Sequence, residues 1–222
     1  MFCSCCNFPE AADRQFTAEK AAKELRAYRM GRLVPTTRLL RDSIVELGLS
    51  QGSLLDIGGG VGALTFELLD RGIRSALVLD ASSAYVAATR EEVGRTGRTK
   101  SETIVEGDLL ELAGKLPLAD LVTLDRAACC YPAYEPMFHE SVRRHAKRAV
   151  ALSYPRDVWF VRSGMWIDNA RRARKSGFRA FVHPPAEMQQ VIERAGFKLA
   201  RRRTTLVGDG RIRTLPRRGA VR

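Results

Sequence analysis

Four glycines occupy five consecutive positions after a short apolar run, in the stretch "LLDIGGGVGAL" from Leu54 to Leu64. Glycine lets the main chain bend sharply and lets a ligand lie against it. Gly58, Gly60 and Ala63 satisfy the relaxed G-x-G-x-x-A pattern of dinucleotide binding, which is a weak signal because many tight strand-to-helix turns produce it. Asp56 precedes the first glycine by two residues. A carboxylate there suits a ligand with an ammonium or sulfonium group better than it suits a pyrophosphate.

Three further aspartates stand at or just after later apolar runs. Asp80 ends "ALVLD", Asp108 follows in "EGDLLEL", and Asp125 ends "ADLVTLD". A carboxylate at the end of the second strand of an α/β sheet can accept hydrogen bonds from ribose hydroxyls, a feature that dinucleotide enzymes share. Together with the glycine bend, Asp80 therefore predicts a nucleoside-containing cofactor at the carboxyl edge of a parallel sheet.

The stretch Asp56–Gly62 resembles the first motif of class I S-adenosylmethionine-dependent methyltransferases, D-x-G-x-G-x-G. The steps at Asp80, Asp108 and Asp125 are similar to later motifs of this family and follow in its order. The resemblance implies S-adenosylmethionine as cofactor, with its methionine end at the glycines, its ribose at the second acid and its adenine at the third. The residues that it assigns to the cofactor are Asp56, Gly58, Gly59, Gly60, Gly62, Asp80, Ala81, Asp108, Leu109 and Asp125.

The methyl acceptor is less clearly indicated, because an in-line displacement needs alignment and exclusion of water rather than one obligatory base. After the fourth predicted strand the sequence reads "DRAACCYP". It departs from the pattern of an Asn or Asp followed by two prolines and an aromatic residue, with which nucleic-acid amino methyltransferases hold a flipped base. This departure counts against methylation of a base amine and leaves other RNA chemistry open. We expect a small-molecule acceptor and assign no catalytic residue. The residues expected on the acceptor side are Arg126, Cys130, Tyr131 and Tyr154.

Several of these residues have a plain structural alternative. Arg126 pairs either with a substrate carboxylate or with a neighbouring acid of the protein. Cys129 and Cys130 are favoured as small buried residues of the pocket wall rather than as nucleophiles. His183 is the best-placed histidine for a general base, yet a loop histidine with satisfied hydrogen bonds is the favoured interpretation. With these motifs the chain is distantly similar to the bacterial small-molecule branch of the family, such as the magnesium protoporphyrin O-methyltransferases, which esterify a porphyrin carboxylate.

Short apolar runs alternate with segments of helical periodicity from Ser53 to Ser153. This alternation predicts parallel strands joined by helical crossovers, and hence an α/β sheet covered on both faces. The resemblance implies a Rossmann-like, mostly parallel sheet of seven strands with an N-terminal helical extension. The predicted strands are 53–57, 76–79, 103–105, 121–124, 149–153 and 197–207, and the predicted helices are 17–30, 37–47, 58–71, 83–96, 109–115, 135–145, 158–178 and 185–195.

We predict three parts of the chain. Residues 1–50 form a helical extension covering the cofactor site, residues 51–207 form the methyltransferase domain, and residues 208–222 form a basic tail or a degenerate last strand. A regular final strand is doubtful, because this segment is rich in glycine and arginine instead of alternating apolar and aromatic residues.

The formal charge of +12 leaves a second class of function open, because a clustered basic surface binds nucleic acid. Five arginines after residue 207 could contact phosphates, whereas the remaining charge is spread over helices that also carry acids. The two alternatives are thus an RNA-binding or RNA-modifying protein of the same fold and a nicotinamide-dependent oxidoreductase. The sequence assigns no oligomeric state.

Composition also sets expectations about location and metals. The chain carries neither an apolar run long enough to span a membrane nor a recognisable signal peptide at its start, so a cytoplasmic protein is expected. Cys3, Cys5 and Cys6 lack the paired spacing of zinc sites, and no metal is expected.

Overall fold

The structure is a computed structural model that describes residues 8–216. The prediction about Cys3, Cys5 and Cys6 therefore lies outside the described residues. Within residues 8–216, one sheet contains seven strands in the order β3-β2-β1-β4-β5-β7-β6. The strands are β1 (Gly52–Ile57), β2 (Ile73–Asp80), β3 (Glu102–Glu106), β4 (Ala119–Asp125), β5 (Ala146–Pro155), β6 (Lys198–Thr204) and β7 (Gly208–Thr214).

Helices precede, connect and follow these strands. They are α1 (Phe8–Gln15), α2 (Ala18–Arg29), α3 (Pro35–Glu46), α4 (Ala63–Leu69), α5 (Ser83–Thr96), α6 (Tyr134–Phe138), α7 (Trp159–Lys175) and α8 (Pro185–Arg194). A 3-10 turn covers Ala128–Cys130, and a π-helical segment covers His139–Arg144. No helix of the described residues is long and apolar enough to cross a membrane.

Strands β1 to β5 are parallel, and β7 is antiparallel to both β5 and β6. Because alternate side chains of a strand point to opposite faces, β1 supplies Leu55 and Ile57 to one core and Leu54 to the other. The first core is closed by α6 and α8 and the second by α3 and α4. The predicted α/β class, with a mostly parallel seven-stranded sheet covered on both faces, is confirmed.

The last strand forms, although the arginines and glycines of this segment made it doubtful. Arg213 is 1% exposed on β7, and its Nη1 donates to Glu193 of α8 at 3.2 Å. Arg211 is also buried and donates to Asp209 at 3.1 Å and to Gln189 at 3.2 Å. These acceptors offset the cost of burying a guanidinium, so arginine occupies positions that are usually apolar.

Two predicted helices differ in the structure. No helix forms at 109–115, because the Asp108 side chain accepts the Leu110 N–H at 2.8 Å and turns the chain locally. The helix predicted at 135–145 starts as α6 and becomes π-helical, where the Ser141 hydroxyl donates to the Met137 carbonyl at 2.7 Å. Helix α1 was not predicted.

Candidate cofactor and acceptor site

The glycine bend at the end of β1 lies against two neighbouring strands. Gly58 has φ +66°, its N–H donates to the Leu79 carbonyl at 2.7 Å, and a Cβ on it would lie 2.7 Å from that of Ala127. Gly60 also has a left-handed conformation, with φ +59°. A side chain is therefore excluded at Gly58 by space and disfavoured at Gly60 by conformation. Gly62 is the N-cap of α4 and does not contribute to the cavity wall.

Asp56 is buried beneath this bend. Its two carboxylate oxygens accept hydrogen bonds from Thr65 of α4 at 2.7 Å and from Thr123 of β4 at 2.6 Å. Burial raises the pKa of Asp56 to about 6, and the nearby charges of Asp125 and Asp80 act in the same direction. The two threonines lower the pKa and fix the carboxyl group on the cavity floor. Sequence analysis did not identify Thr65 or Thr123.

Asp80, at the end of β2, ties that strand to the bend. Its Oδ2 accepts the Gly60 N–H at 2.8 Å, and its Oδ1 accepts the Ser82 N–H at 2.9 Å. Burial raises the pKa of this carboxyl group, whereas the two amide hydrogen bonds lower it. Each carboxylate oxygen has a further lone pair, so Asp80 can still accept hydrogen bonds from a ligand in the cavity. Ala81 lines the same part of the wall.

Asp108 and Tyr131, predicted for opposite ends of the site, are hydrogen-bonded to each other. The Tyr131 hydroxyl donates to Asp108 and accepts the Leu109 N–H at 3.2 Å. Burial raises the pKa of Tyr131. Tyr131 and Leu109 contribute to the cavity wall, whereas the Asp108 carboxyl group lies behind it. The structure therefore shows Asp108 as the group that orients Tyr131 and the Leu109 backbone.

Asp125 and Arg126 close the end of β4. Asp125 accepts hydrogen bonds from the hydroxyl groups of Thr37 on α3 and Ser153 on β5. Arg126 is the non-glycine residue with positive φ in the described range, at +59°. Such a conformation costs an L-residue on the order of 1–2 kcal/mol. The Arg126 guanidinium faces the cavity and lies 3.8 Å from the Glu24 carboxylate of α2.

Two adjacent cysteines follow on the 3-10 turn. The thiols of Cys129 and Cys130 donate to the Arg126 carbonyl at 3.1 Å and 3.6 Å. The hydrogen bond from Cys130 and the Arg126 charge lower the pKa of the Cys129 thiol, whereas the hydrogen bond with Cys129 and burial raise the pKa of Cys130. Both side chains are part of the cavity wall.

His183 does not face the cavity. Its Nε2 lies 2.8 Å from the Tyr131 carbonyl oxygen and 3.2 Å from that of Ala128. A carbonyl oxygen only accepts, so Nε2 carries a proton and His183 supports the loop that carries Tyr131. Burial lowers its pKa. In this structure His183 is buried against backbone and is not positioned as a base.

Apart from Gly62, Asp108 and His183, the predicted site residues line one cavity of about 770 Å³ at the carboxyl ends of β1, β2, β4 and β5. Helices α1 and α2 and residues 32–37 cover it, together with Phe178 and the turn at 205–208. Phe16 holds this cover in place, since its ring lies 5.5 Å from that of Tyr85 and 5.2 Å from that of Phe178. The Arg14 Nε adds a hydrogen bond to the Ser176 carbonyl at 3.1 Å.

The cavity wall carries acidic, cationic and apolar groups. Asp56 and Asp80 lie beside the glycine bend, and Asp125 at the end of β4 also lines the wall. The cationic side chains on the wall are those of Arg32, Arg126 and Arg172, and the apolar and aromatic ones include Tyr154, Met165, Phe178 and Ala180. Of the predicted residues, Gly58, Gly59, Gly60, Ala81, Cys130 and Tyr154 also lie on this wall. No group of three or more His, Cys, Asp or Glu side chains within residues 8–216 could hold a metal ion.

Comparisons with known proteins identify the fold class. No protein-family model matches the chain, and no curated protein matches it significantly. Among solved structures, magnesium protoporphyrin IX methyltransferase from Synechocystis PCC 6803 with bound S-adenosylmethionine aligns with a TM-score of 0.70 at 18% identity, covering 97% of this chain and 100% of that one. An O-methyltransferase family protein from Burkholderia thailandensis aligns at 0.66 and 17% identity, covering 90% and 63%.

A third similar structure is a putative RNA methyltransferase from Pyrococcus horikoshii, with a TM-score of 0.59 and 15% identity over 82% of this chain and 83% of that one. The fold is therefore that of class I S-adenosylmethionine-dependent methyltransferases. The resemblance first seen in residues 56–62 is confirmed at the level of the fold.

Proposed function

We propose that this protein is an S-adenosylmethionine-dependent methyltransferase that acts on a small-molecule acceptor. One observation carries the proposal: one covered cavity combines the glycine bend and its acids with apolar and aromatic walls that also carry arginines. The acids beside the bend suit a cationic cofactor with ribose hydroxyls, and the covered apolar wall suits a flat small molecule rather than a polymer.

The residues present fit this cofactor. Asp80 can accept hydrogen bonds from ribose hydroxyls on the lone pairs that Gly60 and Ser82 leave free. The backbone of Gly58–Gly60 lines the wall, where a side chain on Gly58 would meet Ala127. Leu109 offers an apolar surface to the adenine. When bound, S-adenosylmethionine supplies an electrophilic methyl group, and the chain's part is to align the acceptor and exclude water.

We propose Arg126, Tyr131, Tyr154 and Cys130 as the acceptor-side residues. Arg126 is held toward the cavity in a left-handed conformation, and within residues 8–216 the acid in ion-pair range is Glu24 at 3.8 Å, a long and half-exposed contact. Strain maintained at a cavity wall is a mark of a functional residue. An acceptor with a carboxylate would replace Glu24 as the partner of Arg126, and a carboxylate is already ionised at neutral pH and needs no base.

The topology supports a methyltransferase over an oxidoreductase. A dinucleotide-binding sheet of the 3-2-1-4-5-6 type ends in a parallel sixth strand. Here the antiparallel β7 lies between β5 and β6. The RNA alternative loses part of its support, because Arg211 and Arg213 of the predicted tail are buried and paired with Asp209 and Glu193.

Calorimetric titration with S-adenosylhomocysteine and with NAD tests the cofactor. We expect saturable binding of S-adenosylhomocysteine and no binding of NAD, and the reverse would overturn the proposal. A screen for methyl-donor turnover against carboxylates, phenols, amines and a short single-stranded RNA tests the acceptor. Turnover with RNA alone would contradict the small-molecule assignment.

A further inference from the structure

Helix α7 presents large apolar side chains to solvent. Of its 17 residues only Val161 is buried. Trp159 and Trp166 are 78% and 74% exposed, and Ile167 and Phe160 are 45% and 37% exposed. We call these four residues the α7 surface. Large apolar side chains that cluster on the outside of a protein mark an interaction site.

The α7 surface is a continuous strip. Trp159 and Trp166 are seven residues apart, as are Phe160 and Ile167, so each pair spans two turns on one side of the helix. The next position in the second row is Arg174. The strip therefore begins with aromatic and aliphatic groups and continues into a basic end.

The second half of the helix is strongly basic. Arg171, Arg172, Arg174 and Lys175 are its charged side chains from residue 169 onward, and the helix as a whole carries five basic residues and one acid, Asp168. The Asp168 carboxylate lies 3.8 Å from Arg171 and 3.7 Å from Arg172, so both are long contacts. Arg171, Arg174 and Lys175 are exposed and can meet a partner, whereas Arg172 is half-buried and also lines the cavity.

Further exposed apolar side chains lie close to the N-terminal end of α7. The β6–β7 turn carries Leu206 and Val207, which are 74% and 54% exposed. Arg156, just before α7, fixes that turn because its N–H donates to the Val207 carbonyl at 2.8 Å and its Nη1 to the Leu206 carbonyl at 3.2 Å. Both turn residues also line the rim of the cavity.

We propose that α7 docks this protein on the surface of a membrane that contains anionic lipids, with the helix lying in the plane of the headgroups. Indole and phenyl rings suit the boundary between headgroups and acyl chains, and the exposed Arg171 and Arg174 would contact anionic headgroups. Leu206 and Val207 would enter the same layer and place the rim of the cavity at the lipid surface. The proposal does not depend on the enzymatic activity proposed above.

Two other occupants fit the surface less well. Single-stranded RNA would stack bases on the indoles, but Ile167, Leu206 and Val207 offer no stacking face. A second copy of the chain would bring one basic helix against another, and the repulsion between them opposes association. An anionic lipid surface matches both the aliphatic and the basic parts.

Vesicle flotation of the full chain tests the proposal. We expect the protein to float with vesicles of equal parts phosphatidylcholine and phosphatidylserine, and not with phosphatidylcholine alone. W159S/W166S should lower the floating fraction about tenfold or more, because the exposed rings supply the apolar contact. R171Q/R174Q should lower it and weaken its dependence on salt.

Matched controls lie at the amino ends of β4 and β5, whereas the cavity lies at the carboxyl ends of these strands. Leu118 is 55% exposed just before β4, so L118S removes a comparable exposed apolar side chain. K147Q/R148Q removes two exposed charges at the start of β5. Both should bind acidic vesicles like the wild type, and all variants should unfold at the same temperature.

Three results would overturn the proposal. The first is absence of flotation with acidic vesicles. The second is flotation that the α7 substitutions leave unchanged. The third is binding of an oligoribonucleotide, or a dimer in sedimentation, that W159S/W166S abolishes while vesicle binding persists. The α7 surface would then serve RNA binding or self-association.

Discussion

The Asp80 carboxylate accepts the Gly60 N–H at 2.8 Å and so fastens the end of β2 to the glycine bend after β1. The same carboxylate accepts the Ser82 N–H at the start of α5. One acid thus sets the shape of the bend and presents its remaining lone pairs to the cavity. Its two roles can be separated by measuring ligand affinity and stability on the same variants.

Replacing Asp80 by alanine should weaken S-adenosylhomocysteine binding at least about 100-fold, because two hydrogen bonds to an ionised group are lost and each contributes about 1.5–3 kcal/mol. Calorimetric titration measures the affinity. Asp70→Ala is the control, since Asp70 caps α4 and pairs with Arg98 away from the cavity. If Asp80→Ala retained full affinity, the ribose assignment would be wrong.

Arg126→Gly should separate acceptor binding from stability. Glycine adopts the observed φ of +59° freely, so the free energy of unfolding should stay unchanged or rise by about 1 kcal/mol. The KM for a carboxylate acceptor should rise about tenfold or more, with cofactor affinity unchanged, because a charge-assisted hydrogen bond is removed.

Arg126→Lys is the matched variant, because it keeps both the charge and the strain. Urea denaturation and steady-state kinetics on both variants check the prediction. An unchanged KM in Arg126→Gly would assign Arg126 to its contact with Glu24 alone.

The backbone of the site was predictable from sequence, since glycines and strand-ending acids determine it locally. The hydrogen-bond partners of these acids were not. Thr65 and Thr123 lie 9 and 67 positions from Asp56, and Thr37 lies 88 positions from Asp125. Only the folded sheet brings such hydroxyl groups to the carboxylates, and threonine in a helix or strand gives no distinctive sequence signal.

Strand β7 could not be firmly predicted from sequence either, because its stability also depends on a distant partner. A segment with alternating arginines does not suggest a buried strand, because an unpaired guanidinium is costly to bury. Arg213 is buried because Glu193 of α8 lies 20 residues earlier and reaches its Nη1. Apart from the segments at 109–115 and 135–145, the alternation of strands and helices from residue 53 to 153 was predictable because each of those segments has its own apolar periodicity.

Protonation of Asp56 should make stability depend on pH. The pKa of this carboxyl group is about 6 in the folded protein, against 3.8 in the unfolded chain, so the folded state binds the proton more tightly. The free energy of unfolding should therefore fall by up to about 3 kcal/mol, relative to a variant without the group, as pH rises from below 4 to above 6.

Urea denaturation of the wild type and of Asp56→Asn across this range measures the difference. The wild type should lose stability relative to the variant as pH increases. A constant difference between the two proteins would show that the folded state does not raise the pKa of Asp56.

The buried pair of Arg213 and Glu193 should contribute more than an exposed ion pair does. Arg213 is 1% exposed, and its Nη2 has no hydrogen-bond partner among the described residues 8–216, so Glu193 supplies the compensating charge. Glu193→Gln should lower the free energy of unfolding by about 1–2 kcal/mol, less than the loss for a fully buried pair because the Glu193 side chain is 44% exposed.

Glu46→Gln is the matched control, since Glu46 pairs with Arg201 and Arg203 on the surface of β6 and should cost less than about 1 kcal/mol. Arg213→Leu should be neutral or stabilising, because an apolar side chain there needs no counter-charge. Equal losses for Glu193→Gln and Glu46→Gln in urea denaturation would mean that solvent reaches Arg213. The strand β7 would then be held by its backbone ladder to β5 and β6 rather than by this pair.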